Sequence, residues 1–191
     1  MADPPKRVCW DACAWIGFVS QEPDKIQPLR MIWDAAQRGG YEIWTSTYAY
    51  LEVLKAKDEN GDPIPVEESN RIIDEMFQQP HVRRVQLDVE VARMARDLKN
   101  RYHVEGLRKR SDAIYLATAL YYNLDELHTW DRRDLLPFDQ KIKRRDGKPL
   151  RIIIPGSEVA GPLFAAQPTT PASDAVEIEP IEAASDGQPI D

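Results

Sequence analysis

Cysteine is scarce in this chain of 191 residues, which contains only Cys9 and Cys13. Two cysteines are too few for a disulfide scaffold, and no second cysteine pair or suitably spaced histidine accompanies them to form a zinc motif. Glycine-rich patterns of the Rossmann or Walker type are absent too. The sequence therefore lacks the common signals of disulfide-rich, zinc-binding and nucleotide-cofactor proteins.

Long apolar runs are also missing. No stretch approaches the roughly 18 apolar residues of a membrane-spanning helix. The start of the chain, Met1 to Lys6, lacks the apolar core of a secretory signal. We therefore expect a protein of the cytoplasm that does not associate with a membrane.

Charge is distributed unevenly along the chain. Lys plus Arg number 25 and Asp plus Glu number 32, a formal net charge of −7. Six of the acidic residues and none of the basic ones lie in residues 165–191, so the rest of the chain is nearly neutral. We predict one globular domain over residues 1–164 and a disordered acidic tail over residues 165–191, which is rich in Pro, Ala, Ser and Thr and has no aromatic residue. A nearly neutral domain can carry basic patches that bind nucleic acid.

Short strand-like segments alternate with helical patterns in the predicted domain. The strand candidates are residues 8–10, 42–45, 84–87, 127–129 and 151–154. Apolar stripes with helical spacing begin near Ile26, Ile72 and Val91, and residues 112–120 form an almost wholly apolar helix. This alternation predicts an α/β fold with three layers, in which helices cover both faces of a mainly parallel sheet.

Four acidic residues lie where strands end or the following helices begin. Asp11 follows the first strand, Glu52 lies one to two turns into the helix after residues 45–47, Asp112 opens the buried helix, and Asp131 follows the fourth strand. Any one of them alone would be read as a helix cap or a solvated surface group. Because like charges that converge need a neutralising cation, the set together indicates a site for a hard divalent ion such as Mg²⁺ or Mn²⁺.

The segments around these acids resemble the motifs of PIN-domain proteins. WDACAWI (residues 10–16) is similar to their opening motif, TYAYLEV (47–53) to their helix with the second acid, SDAIYLATA (111–119) to their third motif, and TWD (129–131) to their fourth. Each motif is weak alone, but the ordered set is specific and spans about residues 8–154. The nearest resemblance is to the VapC-like toxins of bacteria.

The resemblance implies a metal-dependent endoribonuclease. Asp11, Glu52, Asp112 and Asp131 would be the catalytic residues and would hold one or two Mg²⁺ or Mn²⁺ ions. Asp134 would be an accessory acid. Thr129 would orient a ligand or a water molecule, or else bond the backbone at its strand end. The resemblance also implies an RNA substrate, a small cognate antitoxin protein as partner, and a homodimer.

Basic residues follow the fourth motif closely. Because of this proximity, we predict that Lys141, Lys143, Arg144 and Arg145 contact RNA phosphates beside the metal site. The alternative for these residues is a solvated charged surface.

Two other functions remain open from the residues. The first is a PIN-like RNA-binding or regulatory module without catalytic activity, although such a module need not keep all four acids. The second is a phosphotransfer fold with an aspartate after its first strand. A haloacid-dehalogenase-type phosphatase requires an acid at the position of Cys13, and a response-regulator receiver requires a strand-end lysine that we do not find.

Overall fold

One parallel sheet forms the centre of the molecule. A computed structural model describes residues 4–58 and 60–157, so the predicted tail of residues 165–191 lies outside the described part of the chain. Within the described residues, all neighbouring strands of the sheet are parallel and their order is β3-β2-β1-β4-β5. The strands are β1 (Lys6–Trp10), β2 (Tyr41–Ser46), β3 (Val82–Val85), β4 (Glu126–His128) and β5 (Arg151–Ile153).

Helices cover both faces of this sheet. They are α1 (Ala12–Val19), α2 (Ile26–Gln37), α3 (Val66–Phe77), α4 (Val89–Tyr102) and α5 (Arg110–Tyr121), and short 3₁₀ helices span Thr47–Leu51 and Leu136–Phe138. Right-handed crossovers place α1, α2 and α3 on one face and α4 and α5 on the other, because the chain reverses direction across the sheet after β3. The expected three-layer α/β architecture is confirmed.

Side-chain packing agrees with this division into layers. On one face, the rings of Trp15 (α1), Trp33 (α2) and Phe77 (α3) form edge contacts in a cluster that also includes Trp10 of β1. On the other face, α4 packs along α5. Residues Asp112–Leu120 of α5 are all buried, as their nearly uniform apolar character predicts.

Helix boundaries follow ordinary capping chemistry. The Asp88 carboxylate accepts hydrogen bonds from the backbone N–H groups of Glu90 and Val91 and begins α4. Helix α2 ends just before Gly39, which has a φ of +81° that glycine adopts without strain.

Three elements differ most from the sequence-based expectation, and strand β1 also begins two residues before its predicted start at Val8. Strand β3 begins and ends two residues earlier than residues 84–87. Helix α1 was not predicted, because its sequence ACAWIGFV is apolar throughout and shows no helical stripe. The predicted helix around Glu52 is only a 3₁₀ helix that ends at Leu51, so Glu52 lies at its end and not one to two turns inside.

The short length of this 3₁₀ helix is explained by contacts that the residues after it make with segments further along the chain. The chain beyond it satisfies its backbone groups in other ways: the N–H of Ala56 donates to the Ser69 hydroxyl, and Lys57 forms an antiparallel bridge with Pro63. Glu52 consequently lies at a bend, at the same edge of the sheet where β2 ends.

The strand order reverses between β1 and β4. Successive strands β1, β2 and β3 extend the sheet in one direction, whereas β4 and β5 lie on the other side of β1. In open parallel sheets, ligands bind at the carboxyl ends of the strands beside such a reversal. Asp11 directly follows β1, and Asp131 follows β4 by three residues.

The helices of the described residues include no candidate for a membrane-spanning segment, since none combines the necessary length with sufficient hydropathy.

Candidate metal centre

Asp11 connects strand β1 to helix α1. Its Oδ1 atom accepts a hydrogen bond of 2.9 Å from the backbone N–H of Ala14 and so caps the helix. The residue is 2% exposed. The pKa of Asp11 is raised to about 7, mainly by burial and also by the negative charges of Asp112 and Asp131, while hydrogen bonds from Thr129 and Ala14 act in the opposite direction.

Asp112 lies in the first turn of α5, where a negative charge is favoured by the helix dipole. Burial raises the pKa of Asp112 to about 6; nearby Lys109 lowers it, and the charges of Asp131, Asp134 and Glu52 raise it. Its Oδ2 atom is buried and accepts no hydrogen bond from any described residue. A buried carboxylate oxygen without a donor is a natural ligand for a cation.

Asp131 and Asp134 belong to the loop that follows β4. Asp131 Oδ1 accepts hydrogen bonds from the backbone N–H groups of Arg133 and Asp134, at 3.0 and 2.8 Å, and its own N–H donates to Thr129 Oγ1 at 2.8 Å. Burial alone would raise the pKa of Asp131, but the hydrogen bonds from Lys109 and from these backbone groups outweigh burial and lower it. One carboxylate oxygen from each of Asp112, Asp131 and Asp134 lies within 4.8 Å of the others.

Glu52 approaches Asp112 from the end of the 3₁₀ helix. Its Oε2 atom accepts a hydrogen bond of 2.9 Å from the Tyr115 hydroxyl, and Tyr115 lies three residues after Asp112 on α5. Burial and the Glu52 carboxylate raise the pKa of Tyr115, so this hydroxyl remains a donor. Tyr115 therefore orients Glu52 toward the helix that carries Asp112.

Lys109 supplies positive charge to this group of acids. Its Nζ atom lies 2.5 Å from Asp131 Oδ2, 3.8 Å from Asp112 Oδ2 and 3.9 Å from Asp134 Oδ2. The hydrogen bond with Asp131 raises the pKa of Lys109, so its ammonium group is charged at neutral pH. Sequence reasoning missed both Lys109 and Tyr115, although each lies three residues from Asp112, one turn of helix away.

The structure thus brings the four acids predicted from the sequence to one edge of the sheet, with Asp134 beside them. A cleft of about 370 Å³ opens there, and Asp11, Glu52 and Asp112 line it together with Lys109 and Tyr115. Asp112 belongs both to this lining and to the cluster with Asp131 and Asp134, so it lies at the centre of the arrangement. We call these five acidic residues the carboxylate cluster.

Thr129 combines the two roles that its position allowed. Its hydroxyl oxygen accepts a hydrogen bond from the backbone N–H of Asp131, and the hydroxyl also forms a hydrogen bond with Asp11. The residue is fully buried. Thr129 therefore links the loop after β4 to the residue that follows β1.

The predicted RNA-contact residues lie elsewhere. Arg144 is buried and bonds the carbonyl oxygens of Asn123 and Leu124, just before β4, together with the carboxylates of Asp125 and Asp146. Asp131, by contrast, follows β4. The structure therefore places Arg144 at the end of β4 opposite to Asp131, because residues 140–150 fold back toward the amino-terminal ends of the strands. Its contact with RNA stays a prediction.

The neighbours of Arg144 follow the same loop. The Arg145 guanidinium stacks over the ring of Tyr121, the last residue of α5, at 4.8 Å. Asp112 lies nine residues earlier on that helix, about 13 Å along its axis. Lys141 and Lys143 are exposed on the same loop. Contact of Lys141, Lys143 and Arg145 with RNA stays a prediction.

Chemically, the carboxylate cluster suits a hard divalent ion. All of its donors are oxygens, which Mg²⁺ and Mn²⁺ prefer. Burial, together with the neighbouring carboxylates, raises the pKa values of Asp11 and Asp112, and the Oδ2 atom of Asp112, which accepts no hydrogen bond from a described residue, offers a ligand. The residues present therefore fit such an ion.

Together, the fold and this cluster define a class of protein: a parallel α/β domain whose topology gathers acidic residues at the reversal of strand order. The family model of the PIN domain matches residues 8–146, more than half of the chain. The chain therefore belongs to the PIN-domain family, as the sequence motifs indicated.

Solved structures show the same fold. VapC20 of Mycobacterium tuberculosis, a toxin that cleaves the sarcin–ricin loop, is 13% identical with a TM-score of 0.52, over 65% of this chain and 90% of that protein. A chain of VapBC2 from Rickettsia felis, solved with a DNA fragment of its promoter, is 14% identical with a TM-score of 0.50, over 76% and 98% of the two chains. No curated protein matches this chain in sequence.

Proposed function

We propose that this chain is a Mg²⁺- or Mn²⁺-dependent endoribonuclease and the toxin of a VapBC-type toxin–antitoxin pair, acting in the cytoplasm. Membership of the PIN-domain family supports nuclease chemistry. The observation that carries the proposal is the carboxylate cluster, in which oxygens of Asp112, Asp131 and Asp134 lie within 4.8 Å of one another. We further propose a homodimer and a small antitoxin protein as partner, in line with the toxin–antitoxin proteins that share the fold.

The five acids would have two roles in binding the ion. Asp11, Glu52, Asp112 and Asp131 are the proposed ligands, and Asp134 supports them from the buried side of the loop. When bound, a divalent ion lowers the pKa of a water molecule and stabilises negative charge on a phosphodiester.

The remaining residues of the site act by orientation. Ala14 N–H fixes one oxygen of Asp11, the Tyr115 hydroxyl fixes one oxygen of Glu52, and the backbone N–H groups of Arg133 and Asp134 fix Asp131 Oδ1. The Asp11 carboxylate also bonds the Thr129 hydroxyl, and the second oxygen of Asp131 pairs with Lys109. Preorganised ligands of this kind lose little conformational freedom when a cation binds.

RNA cleavage in the presence and absence of metal tests the proposal. With total RNA as substrate, we expect Mg²⁺ or Mn²⁺ to support cleavage and EDTA to abolish it. The substitutions Asp11→Asn and Asp112→Asn should each lower the rate roughly a hundredfold or more, because each removes a charge from the ion-binding group.

The matched control is Asp74→Asn, which removes one carboxylate from the exposed face of α3 and should leave the rate unchanged. Cleavage by Asp11→Asn or Asp112→Asn at the parent rate would contradict the proposal. Metal binding without any hydrolysis of RNA would also contradict it and would favour a regulatory PIN module.

A further inference from the structure

Lys109 occupies an unusual position for a cation. It is the residue that precedes the first turn of α5, and its side chain caps no backbone N–H group. The positive end of the helix dipole disfavours a cation at this position. The three carboxylates around its ammonium group explain why the side chain nevertheless points there.

The exposure of these side chains differs sharply. The side chain of Lys109 is 57% exposed, whereas those of Asp112, Asp131 and Asp134 are 10%, 9% and 3% exposed. The ammonium group therefore reaches the carboxylates from the solvent side, at the end of a flexible four-carbon stem. It can leave them by rotation of its own side chain, without movement of α5 or of the loop after β4.

A divalent ion and this ammonium group require the same three carboxylates. The Oδ2 atoms of Asp112, Asp131 and Asp134 all lie within 4 Å of Lys109 Nζ, and an oxygen of each of these residues belongs to the group that fits a metal ion. Two cations in such a small volume repel each other strongly. Binding of one therefore opposes binding of the other.

We propose that Lys109 is a built-in competitor of the divalent ion: its ammonium group neutralises Asp112, Asp131 and Asp134 in the metal-free protein and must swing into solvent when the metal binds. This inference rests on the metal site of the proposed function and adds its regulation. Lys109 thereby sets the concentration of metal at which the site fills. In the metal-free protein it also reduces the repulsion among the carboxylates of Asp112, Asp131 and Asp134.

Titration of the full-length protein with Mn²⁺, followed by electron paramagnetic resonance of the free ion, tests the inference without reference to activity. We expect Lys109→Met to bind Mn²⁺ roughly tenfold more tightly than the parent, equivalent to about 1.4 kcal/mol. Lys109→Arg, which keeps the positive charge, should stay close to the parent. Lys109→Gln serves as a second neutral variant should the methionine variant not fold.

Arg71→Gln provides the matched control. Arg71 lies on α3, its side chain is 60% exposed, and its ion-pair partner is Glu75 of the same helix. The substitution removes the same charge outside the cluster, where salt screens it. We expect a change in Mn²⁺ affinity of less than about twofold.

Thermal unfolding supplies a second readout. Without metal, Lys109→Met should unfold at a lower temperature than the parent, because its acids lose their compensating charge. Addition of Mn²⁺ should raise the unfolding temperature of this variant by more than it raises that of the parent.

Equal or weaker Mn²⁺ binding by Lys109→Met and Lys109→Gln would overturn the inference, even if the parent cleaves RNA. Tighter binding by these variants, with no RNA cleavage by the parent, would support the inference and contradict the proposed function. No Mn²⁺ binding by any variant would overturn both.

Discussion

At the scale of single residues, Asp11 has two tasks that favour opposite states of its carboxyl group. As the cap of α1 it accepts a hydrogen bond, which favours the ionised form, but burial and the charges of Asp112 and Asp131 favour the protonated form. The balance raises its pKa to about 7. Without metal, ionisation of Asp11 therefore lowers the free energy of unfolding. A bound cation would reduce this cost by attracting the ionised carboxylate.

This balance predicts how stability depends on pH in the metal-free protein. The folded pKa values of Asp11 and Asp112, about 7 and about 6, lie above the usual aspartate value of 3.8, so the folded state binds more protons than the unfolded state between about pH 4 and 7. Stability should therefore fall as the pH rises through this window. Urea unfolding at several pH values in EDTA measures the slope.

Asp11→Asn should remove much of this slope. Asparagine caps helices as well as aspartate does, so α1 keeps its cap while the buried charge is lost. At pH 8 we expect the variant to be more stable than the parent by on the order of 2 kcal/mol. A variant that is less stable than the parent at pH 8, with an unchanged pH slope, would contradict the assigned cost of ionisation.

The sequence allowed the acids of the site to be predicted but not two of the side chains that contact them. Asp11, Asp112 and Asp131 were found because strand ends and helix starts can be read from local patterns, and parallel strands bring such ends together. Lys109 and Tyr115 were missed because their roles depend on contacts with residues far along the chain: Asp131 for Lys109 and Glu52 for Tyr115. A search for basic or hydroxyl residues three positions from each acid would have found both.

At the scale of elements, the loop of residues 140–150 shows how chain proximity misleads. Its backbone folds back on itself, with hydrogen bonds between Arg144 and Lys148 and between Ile142 and Leu150. This turn directs Arg144 to the segment before β4, although Asp131 lies only thirteen residues earlier in the chain. Arg144 therefore anchors the loop to the domain, and its guanidinium group forms ion pairs with Asp125 and Asp146.

Arg144→Leu should accordingly destabilise the protein without changing its chemistry. The guanidinium group is 7% exposed and its acidic partners are partly exposed, so we expect a loss of about 2 kcal/mol in the free energy of unfolding, less than for a wholly buried pair. The folded variant should cleave RNA at the parent rate. Chemical denaturation and a cleavage assay at low temperature measure both quantities.

The neighbouring substitution Arg145→Leu is the control. Arg145 is exposed and only stacks on Tyr121, so its loss should cost less than about 1 kcal/mol. Loss of RNA cleavage in both folded variants would show that this loop does contact the substrate, against the structure's placement of it.

Elements were otherwise predicted in proportion to the clarity of their patterns. Helices α2, α3 and α4 have one apolar face each, so their positions follow from periodicity. The buried helix α5 is apolar on all sides and was predicted from the length of its apolar run, whereas α1 has only eight residues. Helix α1 lacks such a stripe. The 3₁₀ helix before Glu52 depends on tertiary hydrogen bonds made by the chain beyond it, which no local pattern records.

At the scale of the whole molecule, topology explains why acids separated by as many as 120 positions meet. The reversal of strand order lies between β1 and β4, so Asp11 and the loop containing Asp131 emerge side by side, and α5 presents Asp112 to both. The family assignment follows from this architecture and its motifs. The parallel sheet could be predicted from the alternation of strands and helices, but which side chain neutralises the cluster could not.

The central claim is that the carboxylate cluster binds a divalent ion through Asp112, the residue shared by the cleft and by the group with Asp131 and Asp134. Isothermal titration of the full-length chain with Mn²⁺ tests it most directly, with Asp112→Asn compared against Asp74→Asn. The account predicts that Asp74→Asn binds like the parent and that Asp112→Asn binds at least about tenfold more weakly. Equal Mn²⁺ binding by the parent and Asp112→Asn, or no binding by the parent, would contradict it.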